Sequence, residues 1–275
     1  MTAAVSLKVR ILADLAAAGC KPLHRLGQNF MIEAGALDAL VGALALEPGD
    51  RVVEIGPGTG VLTERLLASG AEVLAVELDR GLHGHLQRRF ADEGRLHLVH
   101  GDALAGKHDL HPAIRDHVGT GPWKLGANLP YDVAIPVLLN AALGGDGLPG
   151  MARAAVTVQK EAGERLCSRP GEDAWGASAA GLQAAGTPRI LRRLPPECFH
   201  PRPRVDSVIL TWDRGGDPVA PDFGPWCKQV FAYRRKQLAR ALRDTGLERE
   251  TAEAFLADLG LDPQRRIEQL AVAEL

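Results

Sequence analysis

Apolar residues along the chain follow two alternating spacings. Short continuous runs such as RVVEIG (51–56) are typical of buried strands, whereas the segments between them repeat apolar residues every three or four positions, as helices do. The spacing predicts strands over 51–56, 71–79, 96–102, 123–131 and 151–159, and helices over 3–18, 33–46, 61–70, 80–92, 135–143 and 160–168. Strands and helices that alternate in this way form a parallel sheet covered by helices on both faces.

The pattern changes towards the C-terminus. The segments RILRRL (189–194) and VDSVILTW (205–212) predict a closing β-hairpin, and beyond the loop over 213–225 the apolar spacing is helical throughout. We therefore predict an α/β, doubly wound, Rossmann-like domain over residues 1–214 that includes an N-terminal helical extension over 1–48. A small all-helical domain follows over 215–275.

The composition excludes several classes of protein. Hydrophobic residues make up 46% of the chain and charged residues 24%, and no apolar run approaches the roughly 18 residues that span a membrane. The four cysteines lie far apart without a CxxC spacing, and the histidines show no metal-ligand pattern. These features predict a cytoplasmic protein with reduced thiols, no metal site and no membrane span.

Charge is unevenly distributed along the chain. Residues 187–243 carry twelve Lys or Arg against five Asp or Glu, a surplus of seven, although the whole chain has a net charge of −2. The segment 226–243 holds six basic residues and no acidic one. This asymmetry predicts a polyanionic partner near the C-terminal end.

Glycines and acidic residues stand at the ends of three successive predicted strands. The loop from Gly56 through Gly58 follows the first strand, Glu77 ends the second strand 21 positions after Gly56, and Asp102 ends the third. In a doubly wound sheet the ligand lies outside the carboxyl ends of the strands. A nicotinamide site also has a ribose-binding acid, but it more often shows G-x-G-x-x-G. This loop, G-x-G-x-G with Glu54 two residues ahead, favours another nucleoside cofactor.

The fourth strand ends in the tetrapeptide Asn128-Leu129-Pro130-Tyr131, at the same edge of the sheet. The Asn128 side-chain oxygen and the Leu129 carbonyl can each accept one hydrogen from the N6 amine of an adenine. Pro130 restricts φ and so holds the Leu129 carbonyl in place. Tyr131 offers a stacking face for a flipped-out base. The tetrapeptide therefore predicts a grip on an exocyclic amine, the alternative being an ordinary turn.

Several segments recur in the order of a known family. The glycine loop resembles motif I of S-adenosylmethionine-dependent methyltransferases, and NLPY resembles their N/D-P-P-Y/F motif for exocyclic amines. With RLGQNFM (25–31), VQKEAGERL (158–166), FHPRPRVDS (199–207) and FAYRRKQLARAL (231–242), the chain from about residue 24 to 243 resembles the ribosomal RNA adenine dimethyltransferase family. Within that family it is most similar to members that act on bacterial small-subunit (16S) rRNA.

The resemblance implies a class I methyltransferase sheet and S-adenosyl-L-methionine as cofactor. It implies transfer of methyl groups to the N6 amines of two adjacent adenosines near the 3′ end of 16S rRNA, giving dimethyladenosines during ribosome assembly. The implied partner is 16S rRNA in an assembling small subunit, and the implied state is a monomer without a metal.

The resemblance also implies a role for each matching residue. Asn29 and Met31 would flank the cofactor, and Gly56, with Gly58 in the same loop, would lie at its methionine end. Glu77 would bind the ribose, Asp102 the adenine amine, and Asn128 both the cofactor edge and the target amine. Phe199 would be a second stacking ring opposite Tyr131, although a phenylalanine in a proline-rich loop is also consistent with a core residue.

The basic segment gains a more specific interpretation. Arg234, Arg235, Lys236 and Arg240, with Arg243, would form a basic helix face that contacts RNA phosphates. The alternative is a solvated helix surface without a partner.

Three other functions and two departures from the family pattern stay open. The alternatives are a large-subunit rRNA methyltransferase of the resistance type, a non-catalytic RNA-binding module that retains the cofactor pocket, and a nicotinamide oxidoreductase. Met31 stands where the family usually has leucine or isoleucine. The Ala-rich WGASAAGLQ (175–183) replaces larger apolar residues, which predicts either looser packing on the sheet or an altered RNA-facing surface.

Overall fold

A mixed sheet of seven strands lies at the centre of the computed structural model, which describes residues 6–23, 26–106, 109–145, 147–215, 219–220, 223–244 and 246–275. In chain order the strands of this sheet are β2 (Arg51–Ile55), β3 (Glu72–Glu77), β4 (Leu96–His100), β5 (Lys124–Asn128), β6 (Arg153–Gln159), β7 (Gly186–Leu194) and β9 (Ser207–Arg214). Two short strands, β1 (Phe30–Met31) and β8 (Phe199–His200), pair with each other as a separate ribbon.

Helices connect and cover the strands. They are α1 (Leu7–Ala17), α2 (Ala34–Ala43), α3 (Val61–Ala68), α4 (Arg80–Arg89), α5 (Pro112–Val118), α6 (Ala134–Leu143), α7 (Lys160–Leu166), α8 (Ala177–Ala185), α9 (Phe223–Phe231), α10 (Leu238–Asp244) and α11 (Arg249–Asp258). No helix in the described ranges is long and apolar enough to cross a lipid bilayer.

The strand order in the sheet is β4-β3-β2-β5-β6-β9-β7. Neighbours from β4 to β6 are parallel, whereas β9 runs antiparallel to both β6 and β7. The predicted doubly wound α/β class and the antiparallel pairing of the last two segments are confirmed. The sheet is not parallel throughout, because β9 inserts in the opposite direction between β6 and β7. The division into two domains at residue 214 stays a prediction.

Three features of the fold were not predicted. Helix α5 is only seven residues long, and helix α8 is built of alanine and glycine with few large apolar residues to mark a face. The β1–β8 ribbon pairs residue 30 with residue 200. Strands of two residues are too short to show a recognisable pattern in the sequence, so this long-range pairing could not be predicted. All three elements depend on tertiary contacts more than on local pattern.

Parallel pairing aligns the carboxyl ends of the strands. Asn128 at the end of β5 is the register partner of Thr157 on β6, and the end of β3, at Glu77, pairs with the end of β4, at His100. The residues that follow these strands therefore meet at one edge of the sheet, where ligands of doubly wound sheets bind.

A separate apolar cluster joins the C-terminal helices to α8. Trp175, fully buried, lies edge-to-face with Phe231 of α9, the ring centroids being 6.2 Å apart. Ala179 and Ala180 of α8 are also fully buried in this cluster. The alanines at this departure from the family pattern therefore face the C-terminal helices, where their small side chains allow close approach.

We expect Trp175→Ala to lower the free energy of unfolding by about 3–5 kcal/mol, because it removes a large buried ring from this cluster. Urea denaturation followed by circular dichroism measures the change. Trp226→Ala is the matched control, since Trp226 is 38% exposed, and its effect should stay below about 1 kcal/mol. Equal losses in the two variants would contradict the role of the cluster in holding α8 to α9.

Candidate active site

A cleft opens at the carboxyl edge of the sheet, where the ends of β2, β3, β4 and β5 meet. Most of the site residues predicted from the sequence line this cleft. They are Asn29, Gly56, Gly58, Glu77, Asp102, Asn128, Leu129, Pro130 and Tyr131. One continuous wall thus contains both the predicted cofactor residues and the predicted amine grip. Met31 and Phe199 do not line the cleft.

The glycine loop after β2 brings bare main chain to the floor of the cleft. Gly56 has φ +67° and its N–H donates to the Val76 carbonyl at 2.9 Å. Gly58 has φ +61°, and a Cβ placed there would lie 2.8 Å from the Phe30 ring. Both positions therefore favour glycine, and the loop keeps its side of the cleft free of side chains.

Glu77 is held in place by main-chain donors. Its Oε2 accepts from the Gly58 N–H at 3.0 Å and its Oε1 accepts from the Asp79 N–H at 2.8 Å. The side chain is 4% exposed, and this burial raises the pKa of Glu77 to about 7 in spite of the two hydrogen bonds. Each oxygen retains a further lone pair with which it can accept from a ligand hydroxyl.

Glu54 is a second buried carboxyl, beneath the loop. It accepts from the Thr63 hydroxyl at 2.6 Å, and burial, with a smaller contribution from Glu77, raises its pKa to about 8. Between pH 4.5, the ordinary pKa of a glutamate, and about pH 8, Glu54 keeps its proton in the folded protein but loses it in the unfolded chain. The contribution of Glu54 to the free energy of unfolding is therefore complete below pH 4.5 and is lost as the pH rises to about 8.

Asp102 follows β4 at the outer side of the cleft and is exposed. Its Oδ1 accepts from the Leu104 N–H at 2.9 Å, which fixes the carboxylate against the loop that follows the strand. The second oxygen can accept a hydrogen from an amine in the cleft.

The Asn128 amide has partners at both ends. Its Nδ2 donates to the Asn29 carbonyl at 2.7 Å, and its Oδ1 accepts a short hydrogen bond from the Thr157 hydroxyl. The Asn29 side chain is also fixed, because its Nδ2 donates to the Gly27 carbonyl at 3.1 Å. The segment before β1 and strand β6 thus fix the orientation of the side chain at the end of β5.

Tyr131 is fixed by its hydroxyl. This group lies 2.7 Å from the hydroxyl of Ser207, a fully buried residue at the start of β9. Burial raises the pKa of Tyr131, so the phenol stays neutral. The half-buried ring therefore stands at the cleft wall beside Pro130.

Phe199 and Met31 lie elsewhere than the sequence analysis placed them. They are register partners in the β1–β8 ribbon, and each side chain is 2% exposed within the core. In this conformation Phe199 is a core residue, and a stacking role opposite Tyr131 would require the segment around it to move outward. Contact of Met31 with a cofactor through its side chain would need a similar movement.

The basic residues near the C-terminus do not form a helix face. Arg234, Arg235 and Lys236 lie in the turn between α9 and α10, whereas Arg240 and Arg243 are in α10. Asp244, one residue beyond the acid-free segment, pairs with Lys236 at 2.5 Å and with Arg240 at 3.2 Å.

Arg234 is held by a different set of acceptors. Glu268 lies 3.9 Å from its Nε, and its guanidinium also donates to the main chain at Trp175. Arg235 is exposed. Neither acidic partner falls in the acid-free segment 226–243, because Asp244 lies one residue beyond its end and Glu268 lies 25 residues beyond it.

Thr157 and Ser207 were not predicted from the sequence, although each hydrogen-bonds to a residue that lines the cleft. Each is a fully buried polar residue in a strand whose other buried residues are apolar. A lone hydroxyl in the run RAAVTVQ was the available signal, since a buried hydroxyl requires a hydrogen-bond partner.

The sequence matches a known family over most of its length. The model of the family described as ribosomal RNA adenine dimethylase matches residues 21–275. The ribosomal RNA small subunit methyltransferase A of Thermosynechococcus vestitus is 40% identical over 262 residues, which cover 91% of this chain and 92% of the relative.

Two crystal structures share the fold. A dimethyladenosine transferase from Plasmodium falciparum superposes with a TM-score of 0.72 at 20% identity, covering 89% of this chain and 94% of that one. The 23S rRNA methyltransferase ErmE superposes with a TM-score of 0.64 at 19% identity, covering 90% of this chain and 96% of that one. At these identities the likeness concerns the fold alone, and proteins with both names share it.

Proposed function

The chain belongs to the ribosomal RNA adenine dimethylase family, and on that premise we propose that it transfers methyl groups from S-adenosyl-L-methionine to adenine N6. The substrates are two adjacent adenosines near the 3′ end of 16S rRNA, which become dimethyladenosines in the assembling small subunit. The observation that carries this proposal is the position of the NLPY tetrapeptide, whose four residues line the same cleft as the glycine loop and Glu77.

The residues of the cleft fit this cofactor. Glu77 presents two oriented oxygens suited to the paired hydroxyls of a ribose, and Asp102 presents one suited to an adenine amine. Gly56 and Gly58 line the cleft with main chain alone, beside the position proposed for the methionine end. The cofactor supplies an electrophilic methyl group on a positively charged sulfur. The protein needs only to hold that methyl group and the target nitrogen in line.

The amine grip acts on a poor nucleophile. The N6 lone pair of adenine is delocalised into the ring, so the nitrogen is planar and weakly reactive. Asn128 Oδ1 and the Leu129 carbonyl each accept one N6 hydrogen, which favours a pyramidal nitrogen with its lone pair directed at the methyl group. Tyr131, fixed by Ser207, stacks on the base. As the new nitrogen–carbon bond forms, the methyl–sulfur bond would break and the sulfur would leave as a neutral thioether. The methylated nitrogen then loses its proton to water.

The choice of rRNA rests on the relatives, because the fold is common to proteins named for different subunits. Relatives named ribosomal RNA small subunit methyltransferase A cover more than nine-tenths of this chain at 38–40% identity. These names favour the small subunit over the large-subunit resistance type. We place the reaction in the cytoplasm and the enzyme as a monomer on its substrate.

Asn128→Ala should lower methyl transfer at least about 100-fold, because it removes an oxygen that acts mainly in the transition state. Tritiated methyl incorporation into N6 of unmethylated small subunits measures the rate, and calorimetry with S-adenosylmethionine should show weakened but measurable binding. Asn140→Ala on α6 is the matched control and should transfer at the wild-type rate. A wild-type rate in Asn128→Ala would reject the amine grip.

Affinity for S-adenosylmethionine should rise about tenfold between pH 6 and pH 8, because ribose hydroxyls donate to ionised Glu77, whose pKa is about 7 in the free protein. Calorimetry at the two pH values measures the change. Glu77→Gln should bind more weakly and lose this dependence, whereas Glu72→Gln, at the other end of β3, should keep it. If the affinity of both variants for S-adenosylmethionine showed the same pH dependence, Glu77 would not be the group that binds the cofactor.

Replacing Arg234, Arg235 and Lys236 together with Ala should weaken binding to small subunits and flatten its salt dependence. The slope of log K against log salt should fall by about 2–3, since up to three phosphate contacts are lost. Filter binding over a salt series measures the slope. Arg95→Ala, at the opposite edge of the sheet, should leave the slope unchanged. An unchanged slope in the triple variant would mean that this turn does not contact RNA.

A further inference from the structure

The Asn128 side chain can carry out its proposed role only in one of two orientations. Its Oδ1 and Nδ2 are nearly equal in size, and a half-turn about the last side-chain bond exchanges them. Only the oxygen accepts hydrogen bonds, whereas the NH₂ group donates two. An amine in the cleft therefore meets an acceptor in one orientation and a repelling donor in the other.

The Asn29 carbonyl selects the orientation, and the Thr157 hydroxyl, which can donate or accept, holds the side chain in it. The Asn29 carbonyl can only accept, so it binds Nδ2, at 2.7 Å. The Thr157 hydroxyl then donates to Oδ1. After a half-turn, Oδ1 would face the Asn29 carbonyl and two acceptors would oppose each other without a proton between them.

Thr157 occupies a position set by the sheet register. It is the direct partner of Asn128 across the parallel β5–β6 pair, and its other neighbour is Ile209 on β9. Its side chain is fully buried. A hydroxyl in such surroundings requires a hydrogen-bond partner, and Asn128 Oδ1 provides it.

We propose that Thr157 is a positioning residue for methyl transfer, whose hydroxyl holds the Asn128 carboxamide with Oδ1 oriented to accept from the target amine. This inference rests on the proposed function and deepens it. Thr157 donates along one lone pair of Oδ1 and leaves the other for the amine. Its effect reaches the reacting atoms through Asn128, so it acts on the rate of transfer more than on RNA binding.

Thr157→Val tests the hydroxyl, because valine keeps the branched shape of the side chain and removes the donor. We expect kcat for methyl transfer to fall about tenfold, which corresponds to the loss of one buried hydrogen bond. KM for the subunit should stay within about twofold of the wild-type value. Thr157→Ser returns a hydroxyl and should recover most of the rate. Thr211→Val on β9, whose hydroxyl bonds the Arg189 carbonyl, is the matched control and should behave as wild type.

A second readout does not depend on activity. The chain contains three asparagines, Asn29, Asn128 and Asn140, so protein labelled with ¹⁵N-asparagine gives three pairs of side-chain NH₂ signals. In Thr157→Val the Asn128 signals should shift and exchange faster with water, because the bond to the Asn29 carbonyl is then held less tightly. The signals of Asn140 on α6 should not move in Thr157→Val. In Thr157→Ser the Asn128 signals should match those of the wild-type protein.

The outcomes separate this inference from the proposed function. A lower kcat and shifted Asn128 signals in the valine variant, both restored by serine, support positioning. A wild-type kcat with unshifted signals, or equal losses in valine and serine, would overturn it. If wild-type protein transfers no methyl group to N6, the proposed function fails, and the Asn128 signals alone then decide whether Thr157 orients the carboxamide.

Discussion

The parallel register of β2 to β6 is the constraint on which the site depends. It brings the ends of four strands to one edge of the sheet, so that a glycine loop, a buried carboxylate, an exposed carboxylate and a carboxamide share one cleft. None of these groups is unusual alone. Their placement turns weak local features into one binding surface, and hydrogen bonds from main chain and from neighbouring strands then fix each side chain in orientation.

The hydrophobic pattern was sufficient for the alternating strands and helices and for the antiparallel end of the sheet. It could not reveal elements whose stability comes from distant contacts, such as the β1–β8 ribbon. The same limit explains Phe199. Its proline-rich segment is consistent with either a stacking ring or a core residue, and only the cross-strand pairing with Met31 places it in the core of this conformation.

The lining of the cleft was predictable where a polar residue stands at or just after a strand end, as for Glu77, Asp102 and Asn128. The residues that hydrogen-bond to this lining from other strands were less predictable. Thr157 and Ser207 were visible only as buried hydroxyls, and their partners lie 29 and 76 positions away in sequence. The basic segment shows the converse, because its charges are plain in sequence while the neutralising Asp244 and Glu268 become partners only in the fold.

Mapping of the methylated positions on RNA tests directly whether the cleft grips an exocyclic amine of adenine. Unmethylated small subunits would be incubated with the protein and S-adenosylmethionine, and the nucleosides then located and identified by mass spectrometry. We expect N6,N6-dimethyladenosine at two adjacent positions near the 3′ end of 16S rRNA. Methyl groups on ring nitrogens, on ribose, or only on large-subunit rRNA would contradict it, since two oxygens at the end of β5 would then not be gripping an exocyclic amine of this substrate.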